Sequence, residues 1–346
     1  MLVLRPALFA AAAAAVGLVA AACGAPGAPA AGSMPPPAPA TATAPAPTAT
    51  RAAGPLVAAA PVSAVAAAVL EAAPEGAPMP PLLPPPVPWG LPPASPGTPP
   101  PAISAVAALV MDEASGAILF EQNASLSLPP ASLTKIATAV AVIEAGYLET
   151  PIEANPDLER QWLEDSQSMG LEPGDVFLGR ELLYGLLLAS GNDAAEALAI
   201  AVDGGIEPFA ARLNALAARL GLTGTHFVNP HGLEAPGHVS TARDMALLAR
   251  YAMSLPDFRA IVATESHTAV GSRELPLYNL NPLLNYTEGV DGVKTGYTEE
   301  AGRTFVVTAT RGGHRVIVVL LNDLFRTPDA IALIDWAFAA HTWPPG

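Results

Sequence analysis

The sequence has almost no cysteine and lacks any familiar metal-binding pattern. Cys23 is the only cysteine among 346 residues, so a disulfide within the chain is excluded. The six histidines include no HExxH pair, and His226, His231 and His238 do not have a familiar ligand spacing. The sequence therefore predicts a protein without a metal site or another bound cofactor.

Charge is nearly absent from residues 24–101. Arg51, Glu71 and Glu75 are the only ionisable side chains there, and 24 of the 39 prolines fall in this segment. Without periodic large apolar residues, the segment cannot recover the entropy lost on ordering. We therefore predict a semi-extended tether over residues 24–101 and a folded domain over residues 102–341.

Residues 1–23 have the pattern of an export signal. An early arginine precedes an apolar run over residues 7–22, which is short for a membrane span of about 20 residues. Cys23 resembles the lipid-attachment cysteine of bacterial lipoproteins, although Ala20 stands where those signals usually have leucine. Two routes remain open, lipidation of Cys23 or cleavage near it by an ordinary signal peptidase. Either route predicts an exported protein at the outer face of the cytoplasmic membrane or in the cell wall, and lipidation adds a membrane anchor at the N-terminus.

Positive charge is scarce, and lysine is scarcer still. The chain has 16 basic and 31 acidic residues, and the net charge of −15 lies entirely beyond the tether. An acidic domain with scattered arginines is a poor partner for nucleic acid. Only Lys135 and Lys294 are lysines. A lysine amine can lose its proton when it is desolvated or lies near another cation, whereas arginine stays protonated.

Strand patterns lie at both ends of the predicted domain. SAVAALVMDEASGAILFEQN and RTFVVTATRGGHRVIVVLLN indicate two hairpins, which turn at Ala114–Gly116 and Gly312–Gly313. Helical patterns lie between them, over residues 132–146, 181–189, 193–202, 207–220 and 241–254, and a last helix is predicted near 328–340. This order predicts an α+β fold, in which helices flank an antiparallel sheet built from the first and last segments and a helical subdomain is inserted between them.

Three short motifs occur in this domain, and their order is more specific than any one alone. They are Ser132-Leu-Thr-Lys135, Ser190-Gly-Asn192 and Lys294-Thr-Gly296. Ser-x-x-Lys occurs in many helices, and SGND is equally an ordinary helix stop followed by an N-cap. All three in this order form a strong signal.

The first motif has the spacing of a nucleophile and its base. Residues three apart share a helical face, so Lys135 is expected to reach the hydroxyl of Ser132. An unactivated serine needs an adjacent base, and lysine can serve only when its amine is neutral. The helix dipole, and Lys294 if folding brings it close, both favour the neutral amine.

The third motif lies in a strand-like run. Alternation places Lys294 and Gly296 on one face, where glycine leaves room for a substrate alongside the strand and the ammonium offers a compact charge.

Together these residues resemble the serine D-alanyl-D-alanine carboxypeptidases, the low-molecular-mass penicillin-binding proteins. Stretches typical of this branch are PPASLTKI, LLASGNDAA, FVNPHGL, STARDMALLAR, NPLL and GVKTGYTEEAG. The resemblance covers roughly residues 103–340 and implies a β-lactamase/transpeptidase-like fold. It also implies two partners, a peptidoglycan stem peptide ending in D-Ala-D-Ala as substrate and β-lactams as covalent inhibitors.

The resemblance also assigns catalytic roles. Ser132 would be acylated by the penultimate D-alanine with Lys135 as base, and Ser190 would relay the proton to the leaving amine. The backbone N–H groups of Ser132 and Tyr297 would form the oxyanion hole.

The same resemblance assigns substrate contacts. Asn192 would position the substrate, and Lys294 with Thr295 would meet its carboxylate. Arg326, ten residues before Trp336, resembles a family arginine near that carboxylate, although an ordinary surface arginine explains it nearly as well.

Two other functions compete with the carboxypeptidase. A class A β-lactamase uses the same three elements but needs a deacylating glutamate, typically in a Glu-x-x-Leu-Asn pattern that this sequence lacks. Gly191 also stands where those enzymes have aspartate, so slow deacylation of penicillin is expected. A wall-binding lipoprotein without catalysis is the second alternative, and the complete set of polar motif residues argues against it.

Overall fold

The computed structural model describes residues 98–154 and 166–343. The predicted signal, Cys23 and the predicted tether up to residue 97 lie outside the described residues. No described helix is both long and apolar enough to span a bilayer.

The strands are β1 (Ala107–Asp112), β2 (Ile118–Gln122), β3 (Pro151–Glu153), β4 (Val176–Leu178), β5 (Ser266–Val270), β6 (Glu274–Tyr278), β7 (Val290–Thr298), β8 (Gly302–Arg311) and β9 (His314–Leu321). A 3-10 turn (Ala131–Leu133) precedes the helices α1 (Thr134–Glu144), α2 (Gly179–Leu187), α3 (Asn192–Asp203), α4 (Ile206–Leu220), α5 (Ala242–Ser254), α6 (Pro256–Val262) and α7 (Arg326–Ala340).

The main sheet confirms the predicted antiparallel architecture. Its strand order is β2-β1-β9-β8-β7, and every neighbouring pair is antiparallel. Both predicted hairpins form, and Gly116, Gly312 and Gly313 turn them with φ of +74°, +57° and +83°, backbone values that glycine adopts without steric cost. The chain between the two hairpins supplies α1 to α6 and the remaining strands.

Both faces of the sheet are covered. All six residues of β1 are buried. Ala107, Leu109 and Met111 belong to the core shared with α1 and α5, whereas Ala108 and Val110 belong to the core shared with α7. Successive side chains on a strand point to opposite faces, so one continuous apolar strand supports two cores. The first core fixes the start of α1 against the sheet.

Some elements differ from the predicted ones. The pattern over residues 132–146 begins as a 3-10 turn and becomes α1 only at Thr134. The last helix begins at Arg326, two residues earlier than predicted. The short helix α6 and two small sheets, β3–β4 and β5–β6, have no counterpart in the prediction.

Candidate active site

Ser132 and Lys135 meet at the start of α1. Ser132 lies in the 3-10 turn, and Lys135 lies in the first turn of the helix. Lys135 Nζ is 3.1 Å from Ser132 Oγ. Ala131 has a φ of +50°, a left-handed value that costs about 1–3 kcal/mol in a non-glycine residue. Surrounding contacts must therefore hold this turn in place.

The Lys135 amine has three neighbours, and two of them can only accept hydrogen bonds. Asn192 Oδ1 lies 2.6 Å from Nζ and the carbonyl oxygen of His231 lies 2.8 Å from it. A neutral amine has two N–H donors and one lone pair. Since both donors face carbonyl oxygens, the lone pair faces the hydroxyl of Ser132.

Burial favours this neutral form. Lys135 is completely buried, and desolvation holds its pKa well below the usual value, with a further decrease from the nearby charge of Lys294 and an opposing increase from Asp193. Lys294 is thus close enough for its charge to lower the pKa of Lys135.

The loop around His231 contributes the carbonyl oxygen that accepts from the Lys135 amine, a contact that the sequence analysis did not identify. Thr138 Oγ1 donates to Pro230 O at 2.6 Å, which holds the loop beside α1. A Cβ on Gly232 would lie 1.9 Å from Ala131 O, so only glycine allows this approach. The motif FVNPHGL contains this loop, and its Pro and Gly residues are the sequence signal of a tight backbone approach.

The second motif connects α2 to α3. Ser190 is buried with a φ of +62°, and Asn192 is the first residue of α3. Gly191 occupies the N-cap position, and no side chain caps the helix. The structure therefore does not support the N-cap interpretation of SGND. It places Asn192 Oδ1 on the Lys135 amine instead.

Asp193, next to Asn192, is a further residue that the sequence analysis left without a role. Its carboxylate accepts hydrogen bonds from the backbone N–H groups of Met169, Gly170 and Leu171, at 2.9, 3.0 and 2.9 Å. It also accepts from Ser168 Oγ at 2.5 Å. Asp193 thus attaches the loop over residues 168–171 to the beginning of α3.

Strand β7 forms the opposite wall. Lys294 is 1% exposed, and its Nζ donates to Thr295 O at 2.9 Å. Burial, with the charge of Arg326, lowers the pKa of Lys294 to about 7. Thr295, Gly296 and exposed Tyr297 line the cleft, so the Lys294 amine lies behind its surface.

Gly296 has a packing role that differs from the predicted one. A Cβ at this position would lie 2.4 Å from Thr304 Oγ1 and 3.0 Å from the backbone nitrogen of Ser132. Glycine thus lets the strand approach the nucleophile turn. That it also leaves room for a substrate stays a prediction.

Arg326 also reaches this wall. Its Nη1 donates to Gly296 O at 2.8 Å, and its side chain lines the cleft. The structure thus places this arginine at the site and not on a remote surface.

One cleft of about 780 Å³ joins these groups. Seven of the predicted site residues line it, and Lys135 and Lys294 lie beneath its surface. The lining residues are Ser132, Ser166, Gln167, Ser190, Asn192, Leu233, Glu234, Leu280, Thr295, Gly296, Tyr297, Thr298, Glu299 and Arg326. Across residues 98–154 and 166–343, no three His, Cys, Asp or Glu side chains are grouped to hold a metal.

Known relatives are similar in sequence over about two thirds of this chain. The chain is 36% identical over 246 residues to D-alanyl-D-alanine carboxypeptidase DacB2 of Mycobacterium tuberculosis, covering 67% of this chain and 82% of that protein. It is 40% identical over 254 residues to D-alanyl-D-alanine carboxypeptidase DacC of Escherichia coli, covering 69% of this chain. The matched part spans 62% of the DacC length, less than two thirds of it.

A solved structure agrees with these relatives. The Streptomyces K15 DD-transpeptidase superposes with a TM-score of 0.67 at 32% identity, covering 70% of this chain and all of that one. The sequence pattern of the D-alanyl-D-alanine carboxypeptidase family S11 matches residues 94–324. With more than half of its length matched, the chain belongs to the S11 family of D-alanyl-D-alanine carboxypeptidases.

Proposed function

We propose that this protein is a serine-type D-alanyl-D-alanine carboxypeptidase that removes the terminal D-alanine from peptidoglycan stem peptides. The observation that carries the proposal is the 3.1 Å contact between Lys135 Nζ and Ser132 Oγ. Because the other two neighbours of the amine are carbonyl oxygens, its lone pair is directed at the proton that the nucleophile must lose.

Acylation follows from this geometry. Ser132 Oγ attacks the carbonyl carbon of the penultimate D-alanine while its proton passes to Lys135. The backbone N–H groups of Ser132 and Tyr297 stabilise the oxyanion, a contribution of about 3 kcal/mol per donor. The peptide bond then breaks, and Ser190 relays the proton from Lys135 to the amine of the leaving D-alanine.

Deacylation restores the enzyme. Water attacks the ester on Ser132 and gives its proton to Lys135, which returns a proton to the serine oxygen as the shortened peptide leaves. A β-lactam acylates Ser132 by the same steps, but its opened ring stays attached to the acyl group, and its ester is hydrolysed slowly. Covalent inhibition by penicillin is the consequence.

One experiment tests the activity and separates it from the two alternatives. The wild-type protein is expected to release D-alanine from an acyl-D-Ala-D-Ala peptide and to retain a fluorescent penicillin covalently, and Ser132→Ala should abolish both. Binding of the peptide without release of D-alanine would favour a wall-binding protein, and rapid hydrolysis of the penicillin would favour a β-lactamase.

We also propose that the protein is exported and held at the outer face of the membrane by a lipid on Cys23. The apolar run over residues 7–22 and the small residues before Cys23 support this proposal. Several acyl chains would make the attachment stable, whereas a single chain binds membranes only weakly.

A further inference from the structure

Ser104 lies where the predicted tether joins the folded domain, and it contacts two carboxyl groups at once. Its backbone N–H and its hydroxyl lie 2.5 and 2.8 Å from Asp329 Oδ2. The same hydroxyl makes a short contact with Asp323 Oδ1. It also accepts a hydrogen bond from the backbone N–H of Phe325 at 3.0 Å.

These contacts surround the turn that begins α7. Asp323 follows β9, and its backbone N–H donates to Arg303 O at 2.8 Å. The Asp323 carboxyl accepts from Phe325 N at 3.0 Å, and Asp329 lies in the first turn of α7. Ser104 therefore joins the residue before the turn to the residue after it.

Arg326, the first residue of α7, projects from this turn into the cleft. Its guanidinium holds the carbonyl oxygen of Gly296 at 2.8 Å, and Gly296 lies next to Tyr297, whose N–H is assigned to the oxyanion hole. A shift of the turn would therefore move both the guanidinium and the β7 wall.

The hydroxyl of Ser104 can be hydrogen-bonded to both carboxyl groups when one of these groups carries a proton. Ser104 has one proton to donate, so both carboxylates cannot accept from it. A proton on Asp323 removes the conflict, because Asp323 then donates to Ser104 while Ser104 donates to Asp329. Burial, together with the negative charge of Asp329, raises the pKa of Asp323 despite the opposing hydrogen bonds from Ser104 and Phe325.

We propose that Ser104 is a positioning residue that holds the turn before α7 and thereby fixes Arg326 in the wall of the cleft. This role deepens the proposed function and rests on it for its kinetic readout. The chain offers a matched control in Ser115, whose hydroxyl also contacts a carboxylate, that of Asp112, in the β1–β2 turn.

The kinetic test uses the full chain and an acyl-D-Ala-D-Ala peptide. The Ser104→Ala variant is expected to have a KM about tenfold higher than wild type and a kcat within about twofold of it. The reason is that a displaced Arg326 would bind the substrate carboxylate more weakly in the ground state and in the transition state alike. Ser104→Thr keeps the hydroxyl and should restore KM to within about twofold of wild type. Ser115→Ala should leave both constants unchanged.

A double variant tests whether Ser104 acts through Arg326. If it does, Ser104→Ala should cause no further loss in an Arg326→Ala background. An equal loss in both backgrounds would overturn the proposal, as would a lower melting temperature with an unchanged KM.

Backbone hydrogen exchange supplies a readout that needs no turnover. In the Ser104→Ala variant, the backbone amide protons of residues 325–329 and 294–298 should exchange faster than in the wild-type protein. In the Ser115→Ala variant they should not. If the wild-type protein released no D-alanine, the proposed function would fail, and the exchange pattern would still decide the positioning role. Unchanged exchange at both segments would reject it.

Discussion

At the residue scale, both lysines of the chain are buried, at 0% and 1% exposure. Neither has a carboxylate partner among the salt bridges of the described residues, and each has its pKa lowered chiefly by burial. Each amine instead contacts carbonyl oxygens. Burial therefore favours loss of the proton at both positions, a change that an arginine side chain would not undergo.

Replacing Lys135 with arginine should be nearly as damaging as replacing it with alanine. The guanidinium keeps its proton and cannot act as a base, and loss of a general base costs about 10²–10⁴ in rate. The acylation rate with a fluorescent penicillin measures the effect, and circular dichroism checks that both variants fold. Near-normal acylation by Lys135→Arg would contradict the neutral-amine mechanism.

The pH dependence of kcat/KM should have two limbs. The rate should fall at low pH as Lys135, whose pKa is well below its usual value, becomes protonated and stops accepting the serine proton. It should also fall as the pH rises above about 7, the pKa of Lys294, because the positive charge that we propose attracts the substrate carboxylate is then lost.

The variant Lys294→Arg isolates the second limb. Arginine stays charged, so the alkaline fall should disappear while the acidic limb remains. Persistence of the alkaline fall in this variant would show that another group causes it.

Part of the site was predictable because its chemistry depends on side chains, whose identities can be read directly from the sequence. The three motifs contain a nucleophile, a base and an amide in a recognisable order, and the structure places them around one cleft. The carbonyl oxygen of His231 was not predictable, since every residue has a carbonyl group. The close approach of Gly296 to Ser132 depends on tertiary packing, which the local sequence does not encode.

At the element scale, the beginning of α3 depends on one buried carboxylate. Asp193→Asn keeps an oxygen for Met169 but presents an NH₂ group to the backbone N–H groups of Gly170 and Leu171. The Gly170 N–H keeps Ser168 Oγ as an acceptor at 2.8 Å, whereas the Leu171 N–H is buried and loses its acceptor. A buried donor without an acceptor costs about 1–3 kcal/mol, so the free energy of unfolding should fall by about 1–3 kcal/mol. Release of D-alanine should fall as well, because the 168–171 loop continues from cleft residues 166 and 167.

Asp203→Asn is the matched control at the other end of α3. Asp203 pairs with Arg212 at 2.6 Å, and the arginine side chain is 39% exposed. A partly exposed pair of this kind contributes about 0–1 kcal/mol. Chemical denaturation of both variants measures the difference, and equal losses would refute the role assigned to Asp193.

The sequence predicted the elements whose patterns are long and missed those whose patterns are short. Strands β8 and β9 have 10 and 8 residues, with six consecutive buried positions in each, and the glycine pair between them marks a turn. In contrast, β3 and β4 have three residues each, too few for a period. Helix α6 follows α5 after a single residue, Leu255, and it has only seven residues, from Pro256 to Val262.

At the scale of the whole molecule, lipidation predicts where the protein is found. In a bacterial host that processes lipoproteins, the full chain should fractionate with membranes, and mass spectrometry should detect an acylated N-terminal Cys23. The Cys23→Ala variant should lose both properties, whereas Ser132→Ala should keep them. An unmodified N-terminus near residue 23 in the mature protein would instead indicate an ordinary signal peptidase.

The position of β1 gives the molecule a mechanical property. The chain enters the domain through this strand, which is hydrogen-bonded to β2 on one side and β9 on the other. If the N-terminus is anchored while the cleft binds an immobile polymer, a pulling force along the chain reaches β1 before any other strand. Two ladders must then rupture together before the domain loses its shape, whereas an edge strand would peel away one bond at a time.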